Sequence, residues 1–566
     1  MLQNTDVLIV GAGPTGLTTA IELARRNVRV RIIERRSEPS TRSKALVVHA
    51  RTLEFMDILG VADEMVRCGY TSPGIDFSSN AQKPLRANMY GLDTRFPFIL
   101  VLPQAETEAI LERRLNDLGI EVEREHTLID FKETEAGIFS TIECSDDKFE
   151  IQSRYLVGAD GSKSVVRKTL GLPFEGSSYG WTAFLGDVWL EGHHAEGGTE
   201  QHSSDRGLAF IVPFDDGSHR IVTIDRKYQG DRDTRELKIE ELQESISAIL
   251  EKPVELSEPK WLTRWGASLR QAPQYRVGSV LMGGDAVHTH SPAGGQGLNT
   301  GIGDAFNLGW KLALAVEGTA PEAILDTYNA ERHQIGKKVL RTSDIILKSL
   351  LIRQPMLRKL RTLLFQILIP LPSVQRNLAL NLSGLGISYD TGTGELAGKR
   401  IPDMELMNAE HETVRLYNLL GFPGYTLLLF IDPNEVRQER DKIDRLCESA
   451  DERLQVQIVL NNGLPELHDF HANTLVDYRG DLETKLGAKS DATPFRVRQS
   501  PAEGNPPAVL DSPRRRRAQG NAHQETSRII LIRPDGYIAS DLPTFDLDVF
   551  VRQLGNWKRQ NLALTK

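Results

Sequence analysis

Asp6-Val7-Leu8-Ile9-Val10-Gly11-Ala12-Gly13-Pro14-Thr15-Gly16 starts as an apolar, β-rich run and breaks on glycine. Residues 15–26 then place Leu17, Ala20, Ile21 and Ala24 on one helical face. Residues 28–33 read as a second strand, with Glu34 at its end. This is a βαβ unit carrying Gly-x-Gly-x-x-Gly at its first turn. Gly11 permits the tight turn, Gly13 lets backbone approach a pyrophosphate, and Gly16 allows close helix–strand packing. The helix N-terminus turns unpaired N–H groups toward the phosphates. Glu34 stands where a carboxylate accepts bonds from an adenosine ribose. The unit binds a dinucleotide, and the motif alone does not separate FAD from NAD.

A second segment separates them. Gly284-Asp285-Ala286-Val287-His288-Thr289-His290-Ser291-Pro292-Ala293-Gly294-Gly295-Gln296-Gly297-Leu298-Asn299 follows the apolar strand 279–282 and leads into a helix over 299–316. A carboxylate at the end of a buried strand can accept bonds from ribityl hydroxyls. The glycine-dense turn brings backbone N–H groups near the negative edge of a reduced flavin. Between the two motifs, 155–158 is a strand running into Asp160-Gly161, a pair that by itself is also simple turn chemistry.

At 566 residues the chain needs two to four domains. Apolar content of 40% with 26% charged residues is that of a globular chain, and a net charge of −9 gives no basic field for nucleic acid. Cys68, Cys144 and Cys447 are too dispersed for a metal cluster or a disulfide framework. They read as buried thiols in a reducing, cytoplasmic compartment. No basic leader precedes the first strand, so no signal peptide is expected. No apolar run is long enough to span a bilayer, and no integral membrane contact is expected. Residues 345–371 are basic and amphipathic, which suits a membrane surface. A helix packed on its own domain, or at a subunit interface, gives the same pattern.

Residues 1–173 read as the first part of the nucleotide-binding domain, with 75–100 assignable to a substrate domain. A helix is expected over 104–118, with Pro103 at its start and Gly119 after its end. Residues 174–269 read as an inserted, mostly antiparallel sheet. Residues 270–345 return to the first domain, and 346–397 form a helical connector. Residues 398–566 form a small α/β domain with strands at 425–431, 456–460 and 528–533. Within it, Arg514-Arg515-Arg516-Arg517 reads as a solvated loop rather than an interaction tag.

The three glycine elements, in this order, resemble the single-component FAD-dependent aromatic hydroxylases of the p-hydroxybenzoate hydroxylase fold. Supporting matches are Thr41-Arg42-Ser43-Lys44-Ala45, Arg51-Thr52-Leu53-Glu54, Leu102-Pro103-Gln104 and Arg270-x-Ala272-x-x-Tyr275. The resemblance covers residues 5–345. Ile532-Arg533-Pro534-Asp535-Gly536-Tyr537 resembles the thioredoxin-like C-terminal domain of the phenol and polyketide hydroxylase branch. That domain lacks Cys-x-x-Cys here, so a redox role is not expected of it.

The resemblance implies a Rossmann-like α/β fold holding FAD, reduced by a transient NADPH or NADH. It implies O2 as co-substrate, a C4a-hydroperoxyflavin, and hydroxylation of a phenolic or polycyclic aromatic small molecule. The implied cofactor contacts are Gly11, Gly13, Pro14, Thr15, Gly16, Glu34, Arg35, Arg42, Gln104, Asp160, Asp285, Pro292, Gly295, Gln296, Gly297, Leu298 and Asn299. Candidates for the base that activates a phenol are His288, Tyr179, Arg264 and His49. An aromatic pocket could draw on Phe184, Trp189, Phe210, Phe214, Trp261 and Trp265. A homodimer is left open. Alternatives are a flavin-dependent reductase or dehydrogenase, or a flavin-bearing protein that sequesters a ligand. A flavin halogenase is disfavoured, because Trp-x-Trp-x-Ile-Pro is absent.

Overall fold

Val7, Leu8 and Ile9 are fully buried, and they lie in the strand Gln3–Val10 at the centre of an eight-stranded sheet. That strand pairs in parallel with Val30–Glu34 on one side and Asp147–Gly158 on the other. Val280–Met282 continues the parallel order. The register aligns Val10 with Gly158 and Gly158 with Met282. Three turns far apart in sequence therefore leave the sheet side by side, at the carboxyl ends of its strands. In open parallel sheets that edge is where ligands bind. The helices Pro14–Ala24 and Gln296–Glu317 pack against each other over this edge.

The computed structural model describes residues 3–566 apart from 41–44, 80–84, 146, 193–197, 229–234, 267, 292–293, 353, 409, 432, 449, 451–452, 462–473, 487–526, 543–546 and 548–566. Arg42, Pro292 and the 514–517 arginine run lie outside the described residues.

A seven-stranded sheet stands beside the first. Its order is Leu256–Trp265, Ala183–Leu190, His219–Asp225, Gly207–Pro213, Thr199–Ser203, Gly74–Ser79 and Leu85–Asn88. Neighbours are antiparallel except Thr199–Ser203 with Gly74–Ser79, which is parallel. Successive side chains face opposite sides. Phe184, Val188, Ala209, Ile211 and Ile221 pack under the helix Ile239–Leu250. Leu185, Leu208, Phe210, Val222 and Trp265 belong to a separate apolar cluster on the other face.

A third, mixed sheet has seven strands, with Tyr425–Ile431, Leu454–Asn461 and Thr474–Asp477 parallel at its centre. It docks on the first unit through buried ions. Arg51 donates to Glu54, to the Tyr417 hydroxyl and to the Asp535 carbonyl, at 2.7, 2.9 and 2.7 Å. Arg533 grips Glu331 through two bonds of 3.0 and 2.9 Å, and Lys311 reaches the same carboxylate at 3.0 Å.

Two expectations are corrected. The division at 345/346 falls inside one helix, Ile324–Leu350, because no proline interrupts it before Pro355. None of the three thiols is fully buried: Cys68 is exposed, since the short helix Ala62–Cys68 turns Ala62 and Met65 inward, and Cys144 and Cys447 are partly buried; all three are free.

Candidate functional site

The three glycines of the first motif occupy different environments. Gly11 has φ +105°, and a Cβ there would lie 2.4 Å from the Ala159 carbonyl oxygen. A Cβ on Gly16 would lie 1.9 Å from the Gly11 oxygen. These two are closed in by protein. At Gly13 a Cβ would meet nothing within 4 Å, so its backbone opens onto free space at the helix N-terminus. The Glu34 carboxylate accepts the Ala12 N–H at 3.0 Å and the Arg36 N–H and Nε at 3.2 and 2.9 Å. Burial raises its pKa, but the Ala12 and Arg36 bonds outweigh this and hold it below the usual range. Oε1 takes both Arg36 donors, while Oε2, bonded to Ala12 alone, keeps lone-pair capacity for a ribose hydroxyl. Arg35 beside it is exposed.

The second and third turns are tied together. Arg167 donates to the Ala286 carbonyl at 2.5 Å and to the Ser162 carbonyl at 3.0 Å. Asp160 Oδ2 accepts the N–H groups of Val165 and Val166, at 2.6 and 3.2 Å. Its Oδ1 is buried with no partner, an acceptor waiting for a donor. Asp285 lies exposed on the 3-10 turn Gly284–Ala286 rather than at a strand end. Gly284 is fixed by Thr15: its φ is +61°, and a Cβ would lie 2.4 Å from Thr15 Oγ1.

Asn299 fastens the glycine-rich turn to the neighbouring strand. Its Nδ2 donates to the Val47 and Gly295 carbonyls at 2.9 and 2.7 Å, and its Oδ1 accepts the His49 N–H at 2.8 Å. Gln296 donates to the Leu382 carbonyl at 3.1 Å. Gln104 donates to Glu108 at 2.8 Å.

These turns enclose one cavity of about 460 Å³. One wall is polar and glycine-rich, made by Gly13 to Thr15, Gly161, Asp285 and Gly294 to Leu298. The opposite wall is the apolar face of the second sheet, with Leu185, Phe210, Val212, Val222 and Trp265. Among the described residues lining it, Asp285 is the only acid and no lysine or arginine occurs.

Of the four base candidates, His49 alone lines this cavity. Its Nε2 bonds the Gly294 carbonyl at 2.8 Å, and its Nδ1 is buried without a partner. His288 is fully buried beneath the turn, with Nε2 on Asp304 at 2.7 Å. Asp304 also takes the Gly284 N–H at 3.0 Å and Arg332 Nε at 2.7 Å, so this group holds the turn in place. The Tyr179 hydroxyl donates to Asp344 at 3.1 Å, and burial followed by that carboxylate pushes its pKa up. Arg264 pairs with Glu241 at 2.7 Å and lies over Phe184, on the helix side of the sheet.

His290 was not a sequence candidate, yet it lines the cavity. Its Nε2 is buried and unpartnered. The signal was its place in the quoted turn, two residues after His288. Burial pushes both His49 and His290 down to about 4, so each imidazole is neutral near pH 7. Of the six aromatic candidates, Phe210 and Trp265 reach the cavity wall.

The open cradle at Gly13, the unpaired Asp160 oxygen and the neutral histidines fit a dinucleotide carrying a flat, uncharged ring. Fold and site thus define a flavin-binding oxidoreductase. Residues 4–343 match the FAD binding domain family, which is more than half of the chain. An aromatic compound monooxygenase of Bacillus subtilis, YhjG, is 36% identical over 78% of this chain and 87% of its own length. Rifampicin monooxygenase of Streptomyces venezuelae is 35% identical over 80% and 93%. Among solved structures, the anhydrotetracycline hydroxylase OxyS of Streptomyces rimosus superposes with a TM-score of 0.75 at 28% identity, covering 100% of both chains. The chain belongs to the FAD-dependent aromatic monooxygenases.

Proposed function

We propose that this enzyme hydroxylates an uncharged phenolic or polycyclic aromatic small molecule, with NADPH or NADH as transient reductant and O2 as co-substrate. The observation that carries the reading is the cavity itself, in which a flavin-type polar wall faces an apolar sheet wall with no lysine or arginine among the described lining residues. A substrate needing a carboxylate anchor would leave that charge unpaired against Leu185, Phe210 and Val222. A neutral ring buries its faces there instead.

FAD, when bound along Gly11 to Gly16, Glu34, Asp160, Asp285 and the 294–299 segment, supplies hydride acceptance and oxygen activation. The protein's own groups do the rest. The apolar wall excludes water from the reacting face. N–H groups at the start of Gln296–Glu317 favour negative charge beside them. His49 and His290 present neutral acceptors for a phenol proton. With pKa values near 4 they hold a transferred proton weakly, so their part is to orient the hydroxyl rather than to remove its proton outright. We assign the C-terminal unit a thioredoxin-like fold and a bracing role. Its parallel central strands and the Arg533–Glu331 clasp support this.

The test is NADPH and NADH oxidation by the FAD-loaded protein across neutral phenols, polycyclic phenols and aromatic carboxylates. Neutral rings should accelerate reduction, consume O2 and gain one oxygen atom. Turnover confined to aromatic carboxylates, or product formation without O2, sinks the reading.

A further inference from the structure

No single helix among the described residues is long and apolar enough to cross a membrane. Yet the helix Pro355–Leu368 and the turn that joins it to Pro372–Ser383 carry an unusual surface. Among the described residues twelve large hydrophobic side chains are exposed, and nine of them lie within 345–371. Met356 is 84% exposed, Leu363 52% and Ile367 56%. Leu357, Leu360, Leu364, Ile367 and Leu371 recur at alternating spacings of three and four, which places them in one stripe. Nine such side chains, about half exposed, exceed the roughly 300–600 Å² that a typical monomer leaves as its largest apolar patch.

The helix is held by its other face. Arg361 donates to the Ser349 and Leu350 carbonyls, both at 3.1 Å, and to Ser203 Oγ at 3.2 Å. Arg358 pairs with Asp205. Phe365 packs in the apolar cluster that includes Leu185, Phe210, Val222 and Trp265, the cavity's sheet wall. The exposed stripe therefore lies on the outer side of an element packed on the substrate chamber.

Charge decides what would cover it. The chain has 77 acidic residues in 566, so about six would fall by chance in a stretch this long, yet residues 345–389 contain none. The same stretch has six cations, of which Lys348 pairs with Asp344, Arg358 and Arg361 face inward, and Lys359 and Arg376 are exposed. A second copy docked face to face would set Lys359 and Arg376 of both copies together with no acid of 345–389 to offset them, Asp205 being already paired with Arg358. An anionic lipid surface matches both features: acyl chains receive the leucines, and phosphates receive the exposed Lys359 and Arg376. We infer that this helical pair seats the enzyme on an anionic bilayer surface, beside the reservoir in which apolar aromatic compounds dissolve. The seating itself does not depend on which substrate is turned over.

The full-length, FAD-loaded protein would be sedimented with vesicles of phosphatidylglycerol mixed into phosphatidylcholine, and with phosphatidylcholine alone. It should pellet with the anionic vesicles and be released by salt. Leu360→Asp and Leu364→Asp should each lower partitioning by at least about tenfold. Lys359→Glu should lower it by about fivefold or more. All three positions are exposed, so melting temperature and flavin content serve as controls that the variants fold. Failure to bind anionic vesicles would overturn the inference. So would a dimer, seen by light scattering, that the leucine substitutions split while vesicle binding stays absent.

Discussion

Gly13→Ala separates cofactor binding from folding, because the structure gives this glycine a role its neighbours lack. Its φ is −80°, a value any residue adopts, and a Cβ there meets nothing within 4 Å. The apo protein should therefore lose no stability, and restricting the unfolded chain can add about 0.4–1 kcal/mol. The methyl group instead occupies the space through which a pyrophosphate approaches the helix N-terminus. Losing one charge-assisted backbone contact costs on the order of 1.5–3 kcal/mol, or about 10- to 150-fold in Kd. Gly16→Ala is the contrast. Its Cβ would land 1.9 Å from the Gly11 oxygen, a backbone atom that cannot swing away. That overpacking should cost the apo fold about 3 kcal/mol or more. Urea unfolding of the apo forms and FAD titration by flavin fluorescence read the two quantities separately. Gly13→Ala binding FAD like the parent enzyme would refute the pyrophosphate assignment. An unstable Gly13→Ala apo form would refute the open-space argument.

Three further outcomes follow from buried polar groups. Asp304→Asn leaves Arg332 buried without its counter-ion, and the denaturation midpoint should fall by the equivalent of about 3–5 kcal/mol. Glu331 sits at the clasp with Arg533 and Lys311. Burial raises its pKa, but those two cations outweigh burial and hold it down to about 2, against an ordinary 4.5. Because the folded value is depressed, its stabilisation is complete above about pH 4.5 and is lost as pH falls toward about 2. Glu331→Gln should flatten that part of an acid-unfolding curve. His290→Ala should lower turnover about 2- to 12-fold, the worth of one neutral hydrogen bond. A loss of about 100-fold or more, measured by single-turnover kinetics, would instead make it the general base.

What was legible in the sequence is what local sterics and local charge dictate. Gly11 is required by its own φ of +105° and Gly16 by a contact with Gly11 inside one βαβ turn, so their spacing shows in the chain itself, although Ala159 from a distant strand also closes in Gly11. The absence of acids over 345–389 is likewise a property of sequence alone. The choice among base candidates was not legible. Arg264 and Trp265 are adjacent in one strand, and alternation sends them to opposite faces of the sheet. A shift of one residue in register would have exchanged them. The pairing of Phe184 with Arg264 and of Ala183 with Trp265 decides that the tryptophan, not the arginine, meets the cavity. His288 and His290 share a motif, yet Asp304, sixteen residues beyond His288, draws it under the turn and leaves His290 at the wall. The sequence by itself determined an FAD-binding fold with three glycine turns, because each turn's signature lies within a few residues. Only the tertiary structure decided which side chains face the substrate, because facing depends on strand register and on partners far away along the chain.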